Sequence, residues 1–105
     1  MANTAKKLFR GAATTTLTTN LYTVPAATTT VITSLVVTNT AATAGTFTIA
    51  IGTAGSETPL FDAVAIAADT TTVIDLKQVL VATEVIDGGA SAITISFHIS
   101  GMEIA

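Results

Sequence analysis

Between Ala92 and Ser100 apolar and polar side chains alternate, with Ile93, Ile95, Phe97 and Ile99 on one side and Thr94, Ser96, His98 and Ser100 on the other. A period of two over nine residues predicts a β-strand with one buried face. Thr46–Thr53 repeats the pattern, turning Phe47, Ile49 and Ile51 one way and Thr46, Thr48, Ala50 and Gly52 the other. In Thr70–Leu76 the residues Thr72, Ile74 and Leu76 share one face, and Thr71, Val73 and Asp75 share the opposite one. Val31–Asn39 is also strand-like, but Leu35-Val36-Val37 breaks the alternation. That break predicts either a central strand covered on both faces or a bulge. Asn20–Val24, Leu60–Ile66 and Val79–Ala82 are shorter predicted strands.

Turn signals separate these runs at intervals of about ten residues. They are Pro25-Ala26-Ala27, Asn39–Gly45, Gly52–Pro59, Ala67-Ala68-Asp69 and Asp87-Gly88-Gly89. The last reads as a hairpin or loop, because glycine reaches positive φ without a steric penalty. Seven or eight short strands at this spacing predict an all-β chain: a single antiparallel β-sandwich or jelly-roll-like domain.

Composition strengthens that reading. Threonine, β-branched and suited to a half-buried pleated surface, fills 23 of 105 positions. The length suits one domain. Half the residues are hydrophobic, only 10% are charged, and the mean hydropathy is +0.70. No apolar run approaches the ~20 residues of a membrane helix. Gly11–Thr19 is rich in threonine, unlike the apolar core of a signal peptide. High hydropathy with little charge therefore predicts a surface partly hidden against other copies or a larger assembly. Cysteine is absent, which removes disulfides and thiolate metal sites.

Charge divides the chain. Lys6, Lys7 and Arg10 are three of the four basic residues, whereas all seven acidic residues lie in the second half. The expected organisation is a basic N-terminal arm, residues 1–12, followed by a β-sandwich domain, residues 13–105. The candidate interaction residues are Lys6, Lys7, Leu8, Phe9 and Arg10. The cations would meet an acidic surface on another subunit, with Leu8 and Phe9 as apolar anchors. Leu8 and Phe9 could equally build a first strand that pairs within the sandwich.

Catalytic chemistry is thin. His98 is the only histidine and falls on the polar side of its strand. A Ser–His–Asp reading would need a G-x-S-x-G turn and an oxyanion hole, and the chain has no such motif. Asp62, Asp69 and Asp75 could be paired as acid and base. With Tyr22 the only tyrosine and no tryptophan, they have no sugar-binding platform and read better as solubilising groups and edge protection. Glu84 and Asp87 beside Gly88-Gly89 could offer oxygens to calcium, although a solvated turn is the plainer reading. Gly52-Thr53-Ala54-Gly55-Ser56 lacks the lysine of a phosphate loop. The acidic body argues against specific nucleic-acid binding. The expectation is a chain that is not an enzyme and needs no cofactor and no metal.

One resemblance adds to this. The segment Leu21-Tyr22-Thr23-Val24-Pro25-Ala26 is followed by Val31-Ile32-Thr33-Ser34-Leu35-Val36-Val37-Thr38-Asn39-Thr40, and the strand Ile93–Ser100 is capped by Gly101-Met102-Glu103-Ile104. From about Lys6 to Ile104 the chain resembles a family of small virion proteins of tailed bacteriophages, common in phages of cyanobacteria and other aquatic bacteria. The resemblance implies a β-sandwich component of the virion. Its expected role is a capsid decoration (cement) protein that bridges subunits of the major capsid protein as a homo-oligomer, a trimer by symmetry. The alternative is a neck, baseplate or tail-fibre component. A competing class is a binding module for host glycans, using the loops Gly52–Pro59 and Asp87–Ala90.

Overall fold

Alternating sequences of this kind bury their apolar faces by stacking two sheets. The computed structural model, which describes residues 3–105, has eight strands. They are β1 (Asn3–Ala12), β2 (Asn20–Thr23), β3 (Thr29–Asn39), β4 (Gly45–Gly52), β5 (Thr58–Ile66), β6 (Thr70–Leu80), β7 (Val85–Ala90) and β8 (Ile95–Ile104). One sheet has the order β1-β8-β3-β6 and the other β2-β7-β4-β5. Every pairing is antiparallel.

The pairs β1·β8, β2·β7, β3·β6 and β4·β5 nest inside one another. The chain runs out along β1–β4 and returns along β5–β8 as one long double strand. Rolling that double strand brings β8 beside β3 and β7 beside β4. The result is the eight-stranded jelly roll, with all-β, two-sheet architecture as expected.

The core lies between the sheets. Phe47 of β4 meets Phe97 of β8 edge-on, with centroids 6.1 Å apart, and also tilts against Phe61 of β5 at 5.8 Å. Ile32, Leu35, Ile49, Ile66, Leu80, Ile86, Ile95 and Ile99 close around them, all buried. Each such side chain contributes roughly 1.5–3 kcal/mol by leaving water.

The irregularity in Val31–Asn39 is the expected bulge, and the expected cover on both faces is absent, because the outer side of β3 is only partly buried. β3 is an interior strand, and its register slips between Ile32 and Ser34 against both neighbours. The slip at Thr33 switches which residues face inward, from Thr30 and Ile32 to Leu35, Val37 and Asn39.

Four expectations need correction. Asp87-Gly88-Gly89 is not a turn but the middle of β7, an interior strand whose residues are all buried. The glycines answer close backbone approach instead of positive φ. A Cβ on Gly88 would stand 2.5 Å from the Thr48 carbonyl oxygen; one on Gly89 would stand 2.8 Å from that of Thr14 and overlap that of Thr16. Val79 is no separate strand; β6 runs on to Leu80. The last strand starts at Ile95, so Ile93 lies in the preceding turn, 69% exposed, and not on the buried face. That strand also continues through Gly101 to Ile104.

The fourth correction concerns the arm. Asn3–Ala12 is β1, an edge strand paired with β8 from Asn3↔Ile104 to Ala12↔Ser96. The alternative of a first strand within the sandwich therefore holds for residues 3–12, and the body begins there, ahead of residue 13. The first two residues of the expected arm lie outside the described residues.

Candidate assembly interface

Residues paired across antiparallel strands share a face. On β8, Ile95, Phe97, Ile99 and Gly101 are buried, so Ser96, His98, Ser100 and Met102 point to the outside of their sheet. The registers extend that outer face in four rows: Ala5–Met102–Val31–Val79, Lys7–Ser100–Ser34–Asp75, Arg10–His98–Val36–Val73 and Ala12–Ser96–Thr38–Thr71. Apart from His98, the middle of the face is small or apolar. Val73 and Val79 on the edge strand β6 are 66% and 61% exposed. Lys7 and Arg10 line one side, and Asp75 with Lys77 lines the other. Most free surfaces carry more charge, and apolar area of this kind gains about 25 cal/mol per Å² when covered.

This placement divides the five residues singled out from the sequence. Lys7 and Arg10 stand exposed on the outer face. Leu8, left over where the register slips between Lys7 and Phe9, is buried in the core. Phe9 is half-buried and packs against that core. Lys6 pairs with Glu103 at 3.3 Å. Val73, Val79 and Met102 were not singled out from the sequence. The signal available was a valine, Val73, sharing a face with Asp75.

Glu103 belongs to a polar clasp between the sheets. The Tyr22 hydroxyl of β2 donates to Glu103 of β8, and it lies 2.9 Å from the Thr30 hydroxyl of β3. With its proton given to Glu103, the Tyr22 oxygen accepts from Thr30. Burial, followed by the hydrogen bond to Glu103, pushes the Tyr22 hydroxyl up to about 12. The same hydrogen bond, helped by Lys6, holds the Glu103 carboxyl below its ordinary value.

Asp87 has a different partner from the one expected. Glu84 caps its own turn, accepting from the Val81 N–H at 2.8 Å. The Asp87 carboxyl instead meets Glu57 from the β4–β5 loop. Burial, then the contact with Glu57, raises Asp87 to about 6. The hydrogen bond with Asp87, followed by backbone N–H groups, holds Glu57 below its ordinary value.

His98 sits exposed in the row Arg10–His98–Val36–Val73, with a cation and a valine as cross-strand neighbours and no carboxylate to orient it as a base. Asp62, Asp69 and Asp75 fall on an edge strand, in a turn and on the outer sheet face. A shallow dent is lined by Thr38, Asn39, Thr40, Asp69, Thr70 and Thr71. The Asn39 amide there is committed to the Thr43 carbonyl at 2.9 Å and the Ala41 N–H at 3.0 Å. Among the described residues no three His, Cys, Asp or Glu side chains gather for a metal, and no helix is long and apolar enough to cross a membrane.

No family model and no curated protein matches the chain. Solved structures match it in fold. A chain of the infectious bursal disease virus Gx strain superposes with a TM-score of 0.55 at 15% identity, over 97% of this chain and 32% of its own. A chain of the crystal structure of the IBDV viral particle gives 0.54 at 10% identity, over 96% of this chain and 30% of its own. A pentameric capsid protein isolated from metagenomic phage sequences covers 96% of this chain and 59% of its own at 15% identity, with a TM-score of 0.42. The chain thus spans about a third of the length of the first two. It has a jelly-roll fold like that of the two infectious bursal disease virus chains.

Proposed function

We propose that the chain is a structural subunit of a virus particle, and within that class a decoration protein on the head of a tailed bacteriophage. The observation that carries the reading is the outer face of β1-β8-β3-β6: a weakly charged surface with Val73 and Val79 exposed and Lys7 and Arg10 along one side. The strand order and the superposition on viral-particle chains support the wider class, and the motif resemblance supports the tailed-phage assignment. In this reading Lys7 and Arg10 meet an acidic surface of the major capsid protein, the valines are covered by it, and three copies gather around a three-fold axis. The second role within the particle, a neck, baseplate or tail component, uses the same face against a different neighbour.

Copy number separates the two. In purified particles a decoration protein is present in numbers comparable with the major capsid protein, and its loss leaves heads that rupture more easily on heating. A few copies per particle would remove decoration in favour of neck or tail. Absence from purified particles would remove both. Val73→Asp combined with Val79→Asp, both on exposed positions, is expected to leave the isolated chain folded and abolish its attachment.

A further inference from the structure

Two open sheets leave four edge strands, β1 and β6 on one and β2 and β5 on the other. Three of them are poor templates for a further strand. β2 has only four residues. β5 carries Pro59, a left-handed residue at Ala63 (φ 49°) and two register slips against β4. β1 sets Lys6, Lys7 and Arg10 around its bulge at Leu8, so a second copy laid against it would meet like charge. β6 differs. Its 11 residues include no proline, no glycine and no positive φ; Asp69 and Thr83, which do have positive φ, lie beyond its two ends. Exposed and covered positions alternate from Val73 to Leu80, even where Leu76 and Lys77 stand against Thr33 alone. Among the described residues no strand pairs with its outer edge. Val73 and Val79 on this strand and Val81 just past it are 66%, 61% and 56% exposed. A long, regular edge of this kind is open to pairing.

The sequence of β6 is complementary to itself. Asp75 and Lys77 flank Leu76 and are both exposed on the outer face. Let a second β6 run antiparallel beside the first, with a two-fold axis at Leu76. Each Asp75 then lies opposite a Lys77, and each Val73 opposite a Val79. Moving the axis to Asp75 or to Lys77 sets like charges opposite each other. A half-step sets the exposed face of one strand against the covered face of the other. A lysine on an edge ordinarily discourages pairing with a foreign strand. With Asp75 two positions away, Lys77 instead selects one partner and one register.

We propose that β6 pairs with β6 of a second copy, antiparallel about Leu76, and joins the two β1-β8-β3-β6 sheets into one continuous sheet. The contact uses the same patch on both copies and so closes on itself. The valines of both strands gather at its centre and still face outward, so this pairing does not compete with attachment to a capsid. It is made between free copies, and its failure would leave the proposed function standing. A three-fold cluster on a particle would be built from other surfaces.

The test is sedimentation equilibrium of the purified full chain up to about 1 mM, because a contact made by one strand is small and falls in the weak class of interface. The chain should pass from monomer to dimer. Asp75→Lys and Lys77→Asp each set two like-charge pairs across the axis and should each weaken the dimer at least about tenfold. Both positions are exposed, and circular dichroism checks that each variant keeps its fold. An equimolar mixture of the two variants recovers two opposite-charge pairs, so its dimer should return at the concentrations that suffice for the unsubstituted chain. A chain that stays monomeric, or forms a trimer, overturns the proposal. So does a dimer that neither substitution weakens, or a mixture that associates no better than its components.

Discussion

Tyr22 on β2 gives its hydroxyl proton to Glu103 on β8, joining the two sheets by a charge-assisted hydrogen bond at one end of the core. Thr30 on β3 completes the bond at 2.9 Å, and Lys6 on β1 neutralises the carboxylate at 3.3 Å. One tyrosine thus links both sheets through three strands of the opposite one. Tyr22→Phe removes the hydroxyl alone and should cost about 1–2 kcal/mol. Denaturant midpoints check this, and an unchanged midpoint would show that the clasp contributes nothing.

The same bond sets an alkaline limit. The Tyr22 hydroxyl ionises near 12 when folded and near 10 when free. The neutral form is favoured by folding, so this stabilisation is fully present below pH 10 and is lost as pH rises toward 12. Tyr22 is the only tyrosine, so tyrosinate absorbance follows it without interference. A midpoint near 10 in the folded chain would contradict the buried, hydrogen-bonded hydroxyl. At the acid end Glu103, depressed by Tyr22 and Lys6, stabilises above its unfolded value and loses that contribution as pH falls through its folded one.

Substitutions in β1 separate a docking surface from a core strand. Lys7→Ser with Arg10→Ser should change stability by less than about 0.5 kcal/mol, because both are exposed, while weakening attachment to the particle. Leu8→Ala empties a buried site and should cost about 2–4 kcal/mol with attachment of the folded fraction retained. Equal loss of stability from both changes would mean that the strand has no such division.

Gly89→Ala tests the reading of β7. The added methyl would collide with backbone carbonyl oxygens of Thr14 and Thr16, which cannot swing aside as a flexible side chain would. The expected cost is about 1–3 kcal/mol or more. A neutral substitution would show that the Thr14–Thr19 loop is not seated on this strand.

The misreading of β7 shows where legibility stopped. Val85-Ile86-Asp87-Gly88-Gly89-Ala90 has glycines and an acid where an alternating strand would show a polar face. Those residues serve a loop laid over the strand and a carboxylate carried by Glu57, which is 30 positions distant in the chain. Local periodicity has no access to either. Ile93 was misplaced for a related reason: the alternation runs unbroken through Thr94, and only the turn pairing Ile95 N–H with the Ala92 carbonyl, at 3.3 Å, stops the strand short. The candidate interface was half legible. Lys7 and Arg10 stood out as charges, but their company with His98, Val36 and Val73 depends on a register between strands far apart in sequence.

By itself the sequence determined the class of fold, the absence of cysteine chemistry and the scarcity of charge, because period-two alternation, β-branched residues and composition are local or global sums. The tertiary structure alone decided that Asn3–Ala12 is an edge strand, that Leu8 turns inward while Lys7 and Arg10 turn outward, and that Asp87 meets Glu57. Those outcomes follow from register, and a slip of one residue, as between Lys7 and Phe9 or at Thr33, exchanges the inner and outer faces of a strand.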